Sequence, residues 1–396
     1  MAGVPSGEYV RESDHLQRIP ELTVGPNIRA ARNQHYDFSQ LPPAMLAQGD
    51  GDRPNLKEPD IEPMQQYSDV GFRLASILIE NLVAHPCIVL RRQCQVHRTA
   101  QKYHLTPFTL FPVIVKLQQR QGLITLWKGA PSMFVVRGLA MVTETVLSEC
   151  TPLPREVTSR SSLQQIAQHV ALKSLTFAVV TPFCCASLVE VVQCDVASEK
   201  PGVLDCLREG LGRLCRWGAP SRGRMLPFWK LVGPTVAHGV LHHLLSSLVR
   251  SVATWLLELR SRQQRRHIGD RMGAIPRTVE LSENYFHDLL AAFAGNLVAD
   301  VVLFPLETVV HRLYLQGTRT IVDNLDTGSS VTAVISQYRG PVDCFQSIVA
   351  EEGAAGLYKG FGALVLQYAL HCALLKVTRA LFQELFSGRQ VRPRQV

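Results

Sequence analysis

The sequence predicts an all-α membrane protein: six apolar helices in three related units behind a disordered polar tail. Three observations carry this. Of the 396 residues, 46% are hydrophobic, 19% charged and only 7% aromatic, so the apolar content is mainly aliphatic. Apolar stretches recur at about 71–96, 131–149, 163–194, 227–259, 284–315 and 361–386, each long enough for a helix of about 18 residues or more. Three of them hold an internal proline and are followed by a similar glycine, aromatic and lysine signature.

Residues 1–68 are polar and punctuated by Pro and Gly, with no sustained period, and read as a disordered tail. The first residues lack an apolar core for a secretory signal, and Glu8, Glu12 and Asp14 make them a poor mitochondrial presequence. Any organellar address is therefore expected inside the chain. The apolar content excludes disorder throughout, and ten Cys, several inside apolar runs (Cys87, Cys184, Cys185, Cys372), exclude a disulfide scaffold. The formal net charge of +8 suits anionic lipid head groups or nucleic acid.

Charge makes the spans ambiguous one at a time. Only Leu231 to Val249 is a full-length window free of formal charge; Arg73, Glu80, Glu144, Asp300 and Glu307 interrupt others. Charges facing a polar bundle interior explain such a weak signal, and buried helices of a soluble all-α protein explain it too.

Internal repetition bears on that choice. Pro86 lies in NLVAHPCIVLRRQ, Pro182 in TFAVVTPFCCASLVE and Pro305 in DVVLFPLETVVHR. Each removes a helix hydrogen bond and is expected to kink its helix. QGLITLWKG (121–129) follows the first and EGAAGLYKG (352–360) the third; PFWKLVGP (227–234) is a worn counterpart after the second. GVLDC (202–206) and GPVDC (340–344) echo one another, with Asp205 and Asp343 expected to cap short amphipathic helices. The units are 70–150, 162–260 (degenerate) and 284–387, each helix, short helix, helix.

This pattern resembles the mitochondrial carrier (solute carrier 25) family, whose repeat runs Pro, any, acidic, two of any, basic, and later acidic-Gly, four of any, aromatic, basic, Gly. The third unit matches best, with Pro305, Glu307, Glu352, Gly353, Tyr358, Lys359 and Gly360; the first keeps Pro86, Arg91, Gly122, Trp127, Lys128 and Gly129. The resemblance implies six tilted helices around a pseudo-threefold axis, with both termini on one side. ENLVAHPCIVLRRQCQV, TPLPREV, HGVLHH, FPLETVVHRLYLQGTRTI and YKGFGA are similar to an outer-membrane branch of that family. That similarity implies a multi-pass protein of the mitochondrial outer membrane acting in fusion–fission balance, cristae organisation and lipid supply. The implied partners are membrane lipids, fusion, fission and cristae-organising proteins, and endoplasmic reticulum contact-site proteins.

The family closes one gate with salt bridges between the acid of each repeat and the base of a neighbour. Here the acidic positions read Ile88, Cys184 and Glu307 and the basic positions Arg91, Ser187 and Val310, so four of six charges are gone. The resemblance leaves one pair, Arg91 with Glu307. On the even helices, Tyr368 is followed by Ala369 and not by an acid, and Glu144 lacks a base three residues on. Without differential contacts a ligand cannot shift a conformational equilibrium. The expected function is therefore a non-transporting organiser; the alternative is a transporter of an unidentified solute or lipid, with polar and apolar contacts replacing the salt bridges.

Other motifs are weaker. His238, His242 and His243 share a helix, but no carboxylate or cysteine lies near them in sequence, so they read as polar residues facing the interior and not as metal ligands. No C-x-x-C, H-E-x-x-H, G-x-S-x-G or phosphate loop occurs, so no enzyme activity, cofactor or metal is expected. The segment 260–277 reads as a loop rich in arginine, and its Arg260, Arg262, Arg265 and Arg266 suit either anionic lipid or plain solvent. Nucleic acid is disfavoured because no stacking aromatics are interleaved.

Overall fold

The computed structural model describes residues 81–155, 161–194, 202, 204–215, 225–269, 277–328 and 330–387, with side chains described outside 264–285 and 381–387. All lie in one compact unit, His35–Val396; the expected tail, 1–68, lies outside the described residues.

Among the described residues nine α-helices follow one another, taken in threes in chain order. The first set is α1 (81–96), α2 (Phe111–Gln121) and α3 (Ala130–Cys150); the second is α4 (Leu163–Val192), α5 (Asp205–Cys215) and α6 (Phe228–Gly269); the third is α7 (Arg277–Leu315), α8 (Pro341–Glu352) and α9 (Phe361–Ser387). Five of the described helical stretches are long and apolar enough to cross a membrane: Leu123–Cys150, Leu163–Val192, Phe228–Gln263, Phe286–Leu315 and Ala354–Ala380.

Local chemistry sets the boundaries. α4 starts in a capping box, where the Ser162 side chain accepts from the Gln165 amide and the Gln165 side chain answers to the Ser162 amide. α2 and α8 end at Gly122 (φ 86°) and Gly353 (φ 75°), left-handed positions that favour glycine. Pro86, Pro182, Pro234 and Pro305 sit inside the assigned helices.

Three expectations need correction. The fold is not wholly helical: β1 (Ile321–Asp323) and β2 (Val331–Ala333) form an antiparallel hairpin between α7 and α8. The chain there, TIVDNLDTGSSVTAV, alternates β-branched runs with turn formers. The arginine-rich segment is helical through Gly269, because nothing before that glycine breaks a helix. Asp343 does not cap α8. Gly340 holds the cap position, Pro341 the first turn, and Asp343 Oδ2 reaches back to the Arg339 amide at 2.8 Å. Asp205 does likewise as the first residue of α5, accepting from the Gly202 amide at 2.6 Å.

The largest apolar cluster joins α1, α4, α7, α8 and the hairpin through Val89, Val96, Leu188, Val191, Leu313 and Val322. A second packs Leu90 and Cys94 of α1 against Leu110, Val113 and Leu117 at and within α2, and against Leu325 beyond β1. An aromatic group, Phe304 stacked on Tyr358 at 5.8 Å and edge-on to Phe361 at 5.7 Å, ties α7 to the start of α9.

Candidate functional site

Helical spacing builds the interior site. Arg91 and Gln95 stand one turn apart on α1, His238 and His242 on α6, and Asp300, Glu307 and His311 follow one face of α7 at i, i+7 and i+11. Arg91 Nη2 lies 3.1 Å from Glu307 Oε1, with both side chains largely buried, and Arg91 Nη1 lies 3.8 Å from Asp300 Oδ2. Gln95 donates to Glu307 at 3.0 Å and takes the His311 Nδ1 contact at 2.8 Å. Asp300 is also held by His242 Nε2 at 2.8 Å and by the Tyr368 hydroxyl at 2.8 Å. One arginine thus faces two carboxylates, each with further polar neighbours, and removing that cation would strand both.

The other ring positions have become core. Ile88, Ser187 and Val310 are buried, and Cys184 packs against the central cluster. Ser187 Oγ meets Ser132 Oγ at 3.0 Å. The histidines divide: His242 faces Asp300, while the His243 ring lies tilted beside that of His169, centroids 5.2 Å apart. No group of three metal-ligating side chains occurs among the described residues.

Sequence reasoning missed Asp300, Gln95 and Tyr368 as members of the site, and missed the base that answers Glu144. Lys173 Nζ lies 2.9 Å from Glu144, both buried, on neighbouring helices α4 and α3. Asp300 was visible as a charge interrupting an apolar run; its partners lie on three other helices, beyond any local pattern.

The repeat signature is a set of helix-end braces. Lys359 Nζ donates to the carbonyls of His97, Arg98 and Ala100 just past α1, at 3.2, 3.1 and 3.0 Å. Lys128 Nζ donates to the Gln193 carbonyl at the end of α4, at 2.8 Å, and Lys230 Nζ to that of Arg339, at 3.3 Å. Lys359 and Lys128 lie at the negative ends of α1 and α4, where carbonyls have no partner in the helix itself; the Arg339 carbonyl met by Lys230 instead precedes α8. Each brace crosses between sets: first to second, second to third, third to first. Gly129 and Gly360 carry φ of 67° and 84°, and a Cβ there would stand 2.5 Å from Val191 and 2.6 Å from Cys94. Trp127 Nε1 donates to the Leu82 carbonyl at 2.8 Å.

Glu352 pairs with both Arg312 and Lys359. Burial pushes its carboxyl up, but hydrogen bonds and charge from Arg312 and Lys359 prevail and hold it below the usual carboxylate range. Asp323 behaves the same way: burial opposes ionisation, and Lys128 with neighbouring hydrogen bonds overcomes it. Arg260 and Arg262 are exposed near the end of α6, with Arg262 3.5 Å from Glu258; the side chains of Arg265 and Arg266 lie outside the described residues.

Apolar helices of spanning length around buried ion pairs, tied at one end by lysines and left-handed glycines, define a carrier-type membrane protein. The comparisons agree. Residues 282–390 match the family described as mitochondrial carrier protein. Over 384 residues the chain is 44% identical to "Mitochondrial outer membrane protein SLC25A46" of Danio rerio, covering 97% of this chain and 94% of that one. It is 42% identical to the Homo sapiens protein of that name, covering 93% and 90%, and 41% identical to "Solute carrier family 25 member 46" of Xenopus tropicalis, covering 97% and 91%. The chain belongs to the mitochondrial carrier family. It is a multi-pass protein of the mitochondrial outer membrane.

Proposed function

We propose that this protein is a non-transporting, non-enzymatic carrier scaffold that organises mitochondrial shape: the fusion–fission balance, cristae architecture and lipid supply. The observation that carries the reading is the state of the ring. Of its six charge positions only Arg91 and Glu307 keep a charge, and the other four are built into the core. A switch needs contacts that break in one state and form in another; a ring mostly converted to packing supplies few.

The scaffold is read as six tilted helices in three pseudo-symmetric units, 70–150, 162–260 and 284–387, with both termini on one side. The cyclic braces of Lys128, Lys230 and Lys359 support it. Its partners are membrane lipids, fusion, fission and cristae-organising proteins, and endoplasmic reticulum contact-site proteins; Arg260 and Arg262 offer charge to anionic head groups.

A second reading, alternating-access transport of an unidentified solute or lipid, is favoured by the polar interior around Asp300, His242 and Tyr368. One rescue experiment separates the two. In cells lacking the protein, a variant with Arg91→Met and Glu307→Leu removes the last ring pair at similar volume. Restored network shape and cristae at normal protein level support the organiser. Failure at normal level favours the transporter.

A further inference from the structure

The first and third sets carry the same brace positions with two exchanges, an amide for the acid and an amide for the arginine. In the third, Glu352 precedes Gly353, Arg312 lies seven residues after Pro305, and Lys359 completes the group; Glu352 binds both cations. In the first, the equivalent positions are Gln121 before Gly122, Gln93 seven residues after Pro86, and Lys128. The acid is missing and an amide stands in its place. A buried lysine without an anion would be costly.

The anion comes from elsewhere. Asp323, at the end of β1 and 2% exposed, takes hydrogen bonds from Gln93 Nε2 at 3.1 Å, Gln121 Nε2 at 2.7 Å and Lys128 Nζ at 3.0 Å. Both amides turn their NH₂ groups to this carboxylate and leave Oε1 buried without a partner, so they are committed to it. The hairpin is fastened at further points. The Cys194 amide donates to the Ile321 carbonyl at 2.8 Å and Gln193 bridges to Val322, at the end of α4. Asp326 accepts from the Gln101 and Lys102 amides beyond α1 at 2.8 and 2.9 Å, and Lys116 of α2 donates to the Thr327 carbonyl at 3.2 Å. Leu325 is buried against Leu110 and Leu117.

We propose that the β1–β2 hairpin is a strap: Asp323 replaces the carboxylate missing at position 121, turning a brace local to one set into a clamp that ties α1, α2 and the end of α4 to the segment leaving α7. In the third set the carboxylate and both its cations come from one set, and only the cations reach on to carbonyls at the end of α1; in the first set the carboxylate itself is supplied from outside. A brace supplied across sets resists their separation, and the ends of α1, α4 and α7 must separate if the bundle is to open on the side of the short helices. This inference rests on the non-transporting reading and gives it a mechanism.

The test uses the full chain in nanodiscs, with the exposed Cys150, Cys215 and Cys372 changed to Ser and spin labels at the exposed positions 123 and 342, in the first and third sets. Electron–electron distance measurements should give one narrow distribution. The variant D323A/D326A/Q121E restores a local carboxylate and frees the hairpin. It should unfold at a temperature near that of the parent while gaining a second, longer distance component. D323A alone should melt lower, and adding Q121E should recover most of the loss. An unchanged distribution in the triple variant, or no recovery by Q121E, overturns the strap. Saturable exchange by the unmodified protein would instead overturn the non-transporting reading, whatever the distances show.

Discussion

Arg91 faces two carboxylates, so its removal and that of Glu307 are not equivalent. Arg91→Ala leaves Glu307 and Asp300 together in the interior without their cation; Glu307→Ala leaves Arg91 with Asp300. Stranding a buried charge costs about 3–5 kcal/mol. Arg91→Ala should therefore lower thermal stability and cellular level more than Glu307→Ala, and the double variant should lose less than the sum. Arg92, a helical step of about 100° further round, has no ion pair among the described residues, so Arg92→Ala should be milder. Additive losses, or an Arg92→Ala effect as severe as Arg91→Ala, would contradict this assignment. The pairing of positions 91 and 307 was legible because their offsets from Pro86 and Pro305 placed them in a known ring. Asp300 was not, because its partners Arg91, His242 and Tyr368 come from α1, α6 and α9 and share no local period with it.

Glu352 and Asp323 also make stability depend on pH. Their folded carboxyls titrate below the ordinary value, so the unfolded chain binds protons first. The stability they add is complete above the unfolded value, about 4, and fades as pH falls through the lower folded value. The melting temperature of the purified protein should fall steeply on acidification below that value, and Glu352→Gln should flatten the slope. An identical slope in that variant would count against the brace.

At the scale of elements, the signature lysines and glycines hold helix ends. Lys359→Ala frees three carbonyls and leaves Glu352 with Arg312 alone; Lys128→Ala frees one carbonyl and deprives Asp323 of its cation. Both should destabilise by roughly 2–5 kcal/mol, the range for leaving buried polar and charged groups unpaired. Lys230→Ala, which removes one 3.3 Å hydrogen bond and an exposed contact with the Trp229 ring, should stay within about 1 kcal/mol. Gly129→Ala combines a left-handed backbone with a Cβ 2.5 Å from Val191 and should cost about 1–3 kcal/mol or more. Denaturant or thermal unfolding in detergent reads all four, and a Lys230→Ala loss equal to that of Lys359→Ala would contradict the ranking. These helices were legible because apolar runs are long and glycines and prolines punctuate them. The hairpin was not, since strands of three residues carry little period, and its docking joins residues about two hundred positions apart. The helical stretch of the arginine segment was misread because charge density suggested a loop, whereas no breaker ends α6 before Gly269.

At the scale of the molecule, a helical carrier keeps its architecture after losing most of its ring charges, because packing and helix-end braces, not the ring, hold it together. Leu188, Val310, Leu313 and Val322 form a continuous apolar core at the end where the braces lie. That separation of scaffold from switch is the central claim, and reconstituted exchange tests it most directly. Purified full-length protein in liposomes loaded with nucleotide, phosphate or dicarboxylate should show uptake no different from protein-free liposomes. Saturable, inhibitor-sensitive uptake of any of these that is lost on Arg91→Ala would contradict the account.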